Sequence, residues 1–357
     1  MDIWHLIPST NPGGVEVFAK SLIENFPIKA KHTVFSTNNT DGLMAKDFSF
    51  VSDLKKLHTG KSYKNIFFII RLFLNQKPDS IIIHTFNIGL LGFIVLSKIF
   101  NIRKVIIVVG NPPQLKYLIK IKVFLFILRF LNIPIVFCSR YTLKEFKKLF
   151  NLPKRSLTIT YGCDLIKANA LKNEYNYLLK KNRKLSITMV ARLDTIKDQE
   201  TLIKAFLRTK NDNWELNLIG DGQRKIYLQN LVNSFNGEDK VRFWGFRNNV
   251  LEILSNTDIF AFSTTNDEGF GIALIEAVSI GLPIIASDVP ACREVLKGGK
   301  GGILVTPGNI NLWVEELSEL MQSNNKRILF GRKSQEISSV YDIKLIAKEY
   351  WDFLSSI

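Results

Sequence analysis

Asp258-Ile-Phe-Ala-Phe-Ser-Thr-Thr-Asn-Asp-Glu-Gly-Phe-Gly-Ile-Ala-Leu-Ile-Glu-Ala-Val-Ser-Ile-Gly-Leu-Pro283 changes character twice along its length. The apolar run Ile259 to Phe262 predicts a buried strand. Ser263 to Gly271 predicts a polar, glycine-bearing loop, and Ile272 to Ile280 a helix stopped by Gly281 and Pro283. Glu268 falls in the loop and Glu276 about one turn into the helix, so the helix N-terminus lies between two carboxylates. Unpaired N–H groups near Gly271, Ile272 and Ala273 offer an anion site, and Gly269 and Gly271 let a ligand come close to the backbone around Phe270. Carboxylates accept hydrogen bonds from hydroxyls and repel phosphates. The pattern therefore suits a phosphate at the helix start, a ribose-like diol on Glu276 and a sugar on Glu268. The plainer alternative, a solvent-facing Glu276 and a capping Glu268, accounts for either residue alone but not for the combination.

A second constellation supports the first. Val190-Ala-Arg-Leu-Asp-Thr-Ile-Lys-Asp-Gln-Glu200 follows another apolar strand, and Arg192 and Lys197 both fall in the strand-to-helix loop. Two cations opposite a helix start neutralise a diphosphate, arginine as a fork and lysine as a mobile point charge. Taken singly, each is an ordinary solvated loop cation.

The alternation extends over the whole chain. Strands are expected at Ile3–Ile7, Thr33–Ser36, Ser80–His84, Val105–Val109, Ile135–Cys138 and Leu157–Thr160, then from Leu185–Val190 to Gly302–Val305, with helices between them. Strands lacking a clean period of two and alternating with helices indicate parallel sheets covered on both faces. The polar, basic stretch 167–184 precedes a fresh strand. The expected organisation is a first domain at 1–166, a linker at 167–184, a second domain at 185–335 and a terminal segment at 336–357. The glycine-rich and polar loops follow strand C-terminal ends, where open parallel sheets bind ligands, so an interdomain cleft is expected.

In the first half, Gly13 and Gly14 open a helix and are candidates for bringing backbone N–H groups toward a phosphate or sugar. Asn111, in Val109-Gly-Asn-Pro-Pro113, is grouped with them on the acceptor side. His84 follows an apolar strand and is the one histidine expected at a cleft rim, a candidate donor toward a sugar; a structural histidine is the competing reading. Neither G-x-G-x-x-G nor G-x-x-x-x-G-K-[ST] occurs, which counts against NAD-type and Walker-type sites. No Asp-x-Asp triplet or close His/Cys cluster occurs either, so no metal and no cofactor is expected.

The 357 residues are 46% hydrophobic, enough for two domains of ordinary size. Three scattered cysteines fit a reducing compartment, and the N-terminus lacks signal-peptide character, so a cytoplasmic location is expected. The net charge of +16 is uneven: residues 1–165 hold 23 Lys and Arg against nine Asp and Glu. Such a field favours an anionic partner, and without nucleic-acid-binding signatures an acidic membrane surface or phosphorylated acceptor is preferred to nucleic acid. Pro112 to Leu131 sets Lys116, Lys120 and Lys122 among bulky apolar residues, which suits docking on an anionic bilayer or a core helix with a basic face.

These segments resemble the retaining GT-B glycosyltransferases of family four, the glycosyl transferases group 1. The resemblance rests on Ala191-Arg-Leu193 with Lys197, Gly220-Asp-Gly222, Glu268-Gly-Phe-Gly-x-x-x-x-Glu276-Ala, Gly281-x-Pro283 and Gly302-x-Leu-Val305. It is strong across about 185–310 and in the first half is limited to Gly13-Gly14, His84 and Tyr161-Gly-Cys-Asp164. It implies two Rossmann-like domains, the first binding the acceptor and the second a nucleotide-diphosphate sugar, with the C-terminal helix crossing back. It further implies Arg192 and Lys197 on the diphosphate, Glu276 on the ribose, and Glu268 with residues 269–273 at the transferred sugar. The activity implied is metal-independent transfer of a hexose or N-acetylhexosamine, with retention, to a saccharide or lipid-diphosphate-linked acceptor in surface polysaccharide synthesis. A sugar-nucleotide epimerase or phosphorylase of the same fold is an alternative, as is an inactive membrane-associated assembly partner. Where relatives carry His or Asp after a strand of the first domain, this chain has Val109-Gly-Asn-Pro-Pro113.

Overall fold

The computed structural model describes residues 1–38, 42–57, 63–171, 184–209 and 212–357. It comprises two compact units, Met1–Gly162 with Ile343–Ile357, and Cys163–Asp342. Each is a parallel α/β sheet of Rossmann type, and the chain has the GT-B fold.

The first unit contains β1 (Asp2–Ile7), β2 (Lys31–Ser36), β3 (Asp53–Lys56), β4 (Ser80–Ile83), β5 (Lys104–Val109), β6 (Ile135–Phe137) and β7 (Leu157–Thr158), in the order β3-β2-β1-β4-β5-β6-β7. β1 takes a central place because Ile3 to Ile7 are buried on both of its faces, four of the five being apolar. Trp4 and Leu6 join Ile81, Ile83, Val105 and Ile107 in one core, while Ile7 meets Val34, Ala19 and Ile23 on the other side. Near-continuous burial of this kind is what a parallel strand between two helical layers needs. β3, Asp-Leu-Lys-Lys, was not expected from sequence; it is a short polar edge strand, and its charges carry no periodic signal.

The second unit contains β8 (Leu185–Val190), β9 (Trp214–Ile219), β10 (Val241–Gly245), β11 (Ile259–Phe262), β12 (Ile284–Ser287) and β13 (Ile303–Val305), in the order β10-β9-β8-β11-β12-β13. Ile187, Met189, Leu216, Leu218, Ile259 and Ile285 form its core with Trp313. β8 and β11 are adjacent, with Ile259 opposite Ile187, so the loops leaving their C-terminal ends emerge side by side.

The unit boundaries fall a few residues from those expected. The Cys163 N–H donates to Tyr341 O at 2.8 Å, which ties both ends of the second unit together. A Cβ on Gly162 would lie 2.9 Å from Ile343 Cα, so the two chain passages need a residue without a side chain there. The expected linker 167–184 is partly helical instead: Leu165–Leu171 is a helix of the second unit, packed against the Ile272–Ile280 helix, and residues 172–183 lie outside the described residues. The C-terminal helix Ile343–Ser356 belongs to the first unit, where Tyr350 meets Phe18 with ring centroids 5.8 Å apart.

Candidate active site

The loop between β8 and the Gln199–Arg208 helix is folded around one carboxylate. Asp194 is buried, and its Oδ1 accepts from the N–H groups of Ile196 at 2.9 Å and Lys197 at 3.2 Å. Its Oδ2 takes Arg192 Nε at 2.5 Å. Gln199 Nε2 donates to Arg192 O at 2.9 Å, holding the loop from its other end. The Gly220–Gly222 turn supports the same loop from below. Gly220 has φ of +129°, and a Cβ there would sit 2.1 Å from Ala191 O, so only glycine permits this approach.

The β8 and β11 loops are hydrogen-bonded to each other, Asp198 N to Ser263 O at 3.1 Å and Thr265 N to Ile196 O at 3.0 Å. This brings Lys197 and Glu268, 71 positions apart in sequence, into a direct ion pair between Lys197 Nζ and Glu268 Oε2. Both side chains are largely enclosed, 16% and 7% exposed, and the ammonium also lies 4.6 Å from the Phe262 ring centroid. Thr264 Oγ1 is 3.3 Å from the same Glu268 oxygen. Sequence reading puts Lys197 on a phosphate and Glu268 on a sugar, and the structure adds that each is also the other's partner. Arg192 is different: its side chain is 67% exposed, and no partner of its Nη groups is found among the described residues.

Gly269, Phe270 and Gly271 lead from Glu268 into the helix. Phe270 is buried with its ring edge-on to Tyr341, which anchors the turn. Gly271 has φ of +87°, and a Cβ would meet the Phe262 ring at 3.1 Å. No side chain caps this helix, so the first-turn N–H groups of Ile272 and Ala273 face outward without an intrahelical acceptor. Glu276, one turn on, is partly buried and accepts no hydrogen bond among the described residues. Burial pushes its carboxyl up to about 7, a shift that Lys167 on the neighbouring helix only partly opposes. The arrangement is thus a cation pair, a bare helix start and a carboxylate lacking a hydrogen-bond donor, all on one sheet edge.

On the corresponding edge of the first unit the expectations change. His84 is fully enclosed and not at an open rim. Its Nε2 is 3.0 Å from His5 Nδ1, and His5 Nε2 is 3.0 Å from His32 Nδ1, so three imidazoles form a buried row from the residue after β4 across β1 to β2. Burial lowers all three pKa values, to about 3 at His84 and about 4 at His32, and keeps the rings neutral. Gly13 has extended backbone, and a Cβ there would meet Glu16 Oε2 at 2.5 Å. A Cβ on Gly110 would likewise meet Tyr161 Oη at 2.9 Å, so at least these two glycines make room for buried protein side chains. Gly14 starts the Gly14–Glu24 helix, and Asn111 is exposed. Sequence reasoning passed over Asp194, Thr264, Glu16 and His5. Of these, Asp194 carried a usable signal, since aspartate commonly closes a turn onto N–H groups two and three residues ahead.

Residues 172–336 match the family described as Glycosyl transferases group 1. The match takes in 165 of the 357 residues, all within the second unit. Among similar proteins, the amylovoran biosynthesis glycosyltransferase of Erwinia amylovora is 25% identical over 362 residues, 97% of each chain. A 4-alpha-N-acetylgalactosaminyltransferase of Campylobacter jejuni, named for an acceptor bearing diphospho-undecaprenol, is 27% identical over 217 residues, 60% of this chain and 58% of its own. The matched stretch covers as little as 19% of another curated relative. Anabaena HepE, solved with UDP and glucose, superposes with a TM-score of 0.85 over 100% of both chains at 19% identity, a likeness of fold.

Proposed function

We propose that the protein is a retaining glycosyltransferase that takes a hexose or N-acetylhexosamine from a nucleotide-diphosphate sugar. The observation that carries this reading is the joined β8 and β11 loops, which gather Arg192, Lys197, Glu268 and an uncapped helix start on one sheet edge. In this reading the diphosphate lies between Arg192, Lys197 and the N–H groups of Ile272 and Ala273, and Glu276 accepts from the ribose hydroxyls. Glu268, Gly269, Phe270 and Gly271 face the transferred sugar.

The chemistry follows from charge. As the glycosidic bond breaks, negative charge grows on the leaving diphosphate, where the cations and the helix start stabilise it most. The same diphosphate then accepts the proton of the hydroxyl arriving on its face, so configuration is retained without a protein nucleophile. No metal is needed for this step, because the cations occupy its place. His84 has no free ionised form to offer near neutral pH, so its role is to shape the acceptor side, with Gly13, Gly14 and Asn111.

The acceptor we favour is a lipid-diphosphate-linked saccharide at an anionic, inner membrane surface. The Campylobacter relative's name and the basic first half support this. So does the segment Leu115–Phe130, where Ile119, Phe126 and Phe130 are exposed among Lys116, Lys120, Lys122 and Arg129 while Ile121, Phe124 and Leu128 are buried. Among the described residues no helix is long and apolar enough to cross a membrane. The test is a thermal-shift screen of nucleotide sugars followed by mass analysis of product formed on lipid-linked acceptors. Transfer by Glu268→Ala at the parental rate would overturn the donor-site assignment. Liposome pelleting that is insensitive to acidic lipid would overturn the membrane assignment.

A further inference from the structure

Asp194 sits where the donor-site reading has no carboxylate, 2.5 Å from the arginine that reading assigns to a diphosphate. A negative group beside a phosphate site opposes binding through charge, so its presence calls for a compensating function. The geometry points to a positioning role, and this inference rests on the donor site proposed above. We propose that Asp194 holds both phosphate-binding cations in their working arrangement.

Each carboxylate oxygen has a separate task. Oδ1 accepts from the N–H groups of Ile196 and Lys197, closing the turn from which the Lys197 side chain departs. Oδ2 takes Arg192 Nε, which fixes the plane of the guanidinium and leaves its two Nη groups for an incoming oxyanion. An arginine whose side chain is 67% exposed samples many rotamers unless something anchors it, and ordering it on binding costs affinity. The anchor is itself rigid: Asp194 is buried, and the neighbouring Arg192 carbonyl is held by Gln199, a fully buried residue. Asp194 touches no reacting atom in this scheme and acts only through Arg192 and Lys197.

Two variants separate its two tasks. Asp194→Asn keeps an oxygen for the Ile196 and Lys197 N–H groups but places an amide NH2 against Arg192 Nε, which cannot accept. Asp194→Ala loses both. The measurement is titration calorimetry with uridine diphosphate and inorganic pyrophosphate, with circular dichroism confirming that the variants are folded. Asp194→Asn is expected to weaken both ligands about tenfold, and Asp194→Ala more. In an Arg192→Ala background Asp194→Asn should weaken binding no further, whereas a residue serving only loop stability would weaken it again. Unchanged or tighter binding by Asp194→Asn, with Arg192→Ala still weakening it, would overturn the positioning role and mark Asp194 as an electrostatic brake. If neither ligand binds the parent, or Arg192→Ala has no effect, the donor site itself is wrong.

Discussion

Glu276 titrates where an enzyme near neutral pH would feel it. Its carboxyl is raised from the ordinary 4.5 to about 7 by burial, and only the ionised form accepts hydrogen bonds from both hydroxyls of a diol. Nucleotide affinity is therefore expected to rise as pH goes from 6 to 8, and Glu276→Gln to bind about tenfold more weakly at pH 8 with a flat profile, both read by calorimetry. Stability runs the other way. A carboxyl whose folded pKa exceeds its unfolded value contributes fully at low pH, and that contribution is lost as pH rises through 7. Glu276→Gln should thus melt higher than the parent at pH 8 and no higher at pH 4, the signature of a residue retained for binding. The Lys197–Glu268 pair makes a sharper case. Lys197→Met leaves an enclosed carboxylate unpaired and should cost about 3 kcal/mol or more in urea unfolding. Adding Glu268→Gln removes the stranded charge and should recover most of that stability without restoring transfer.

At the scale of elements, the Ile272–Ile280 helix depends on how it starts. Gly271 adopts a left-handed conformation with the Phe262 ring where a Cβ would go. Gly271→Ala is expected to cost roughly 1 to 3 kcal/mol and to shift the helix start, reducing nucleotide affinity along with the melting temperature. This element was legible in the sequence because its signals are local: an apolar strand, glycines in the loop, and Gly281 with Pro283 at the stop. All six strands of the second unit were readable for the same reason. The polar Asp53–Lys56 strand and the Leu165–Leu171 helix were not, since one is an edge and the other a short helix in a charged stretch, and tertiary packing rather than periodicity decides both. The site divides along the same line. Arg192, Lys197, Glu268 and Glu276 are read from spacing within single loops and helices. That Lys197 and Glu268 pair, that Asp194 holds Arg192, and that His84 turns inward to His5 depend on which loops emerge side by side, which spacing along the chain does not encode.

At the scale of the whole molecule, the two units carry opposite responses to acid. In the first, burial holds the His84–His5–His32 row neutral, and at His84 and His32 the folded pKa values lie at about 3 and 4 against an unfolded value near 6.5. A group with a depressed cationic pKa contributes stability that is complete above the unfolded value and declines as pH falls from 6.5 toward the folded pKa. Protonating one ring also places a cation 3.0 Å from its neighbour's nitrogen, inside a unit already rich in lysine and arginine, so the loss steepens as it proceeds. In the second unit Glu276 moves the balance the other way, since acid relieves its cost. Acidification from pH 7 to 4.5 should therefore unfold the first unit before the second. Hydrogen exchange read by mass spectrometry tests this directly: amides of β1, β2 and β4 should lose protection at pH 4.5 while those of β8 and β11 keep it. Replacing His5 with Gln, which hydrogen-bonds without acquiring charge, should shift that loss of protection to lower pH. Uniform loss across both sheets, or no response to His5→Gln, would show that carboxylates elsewhere, and not the histidine row, set the acid limit.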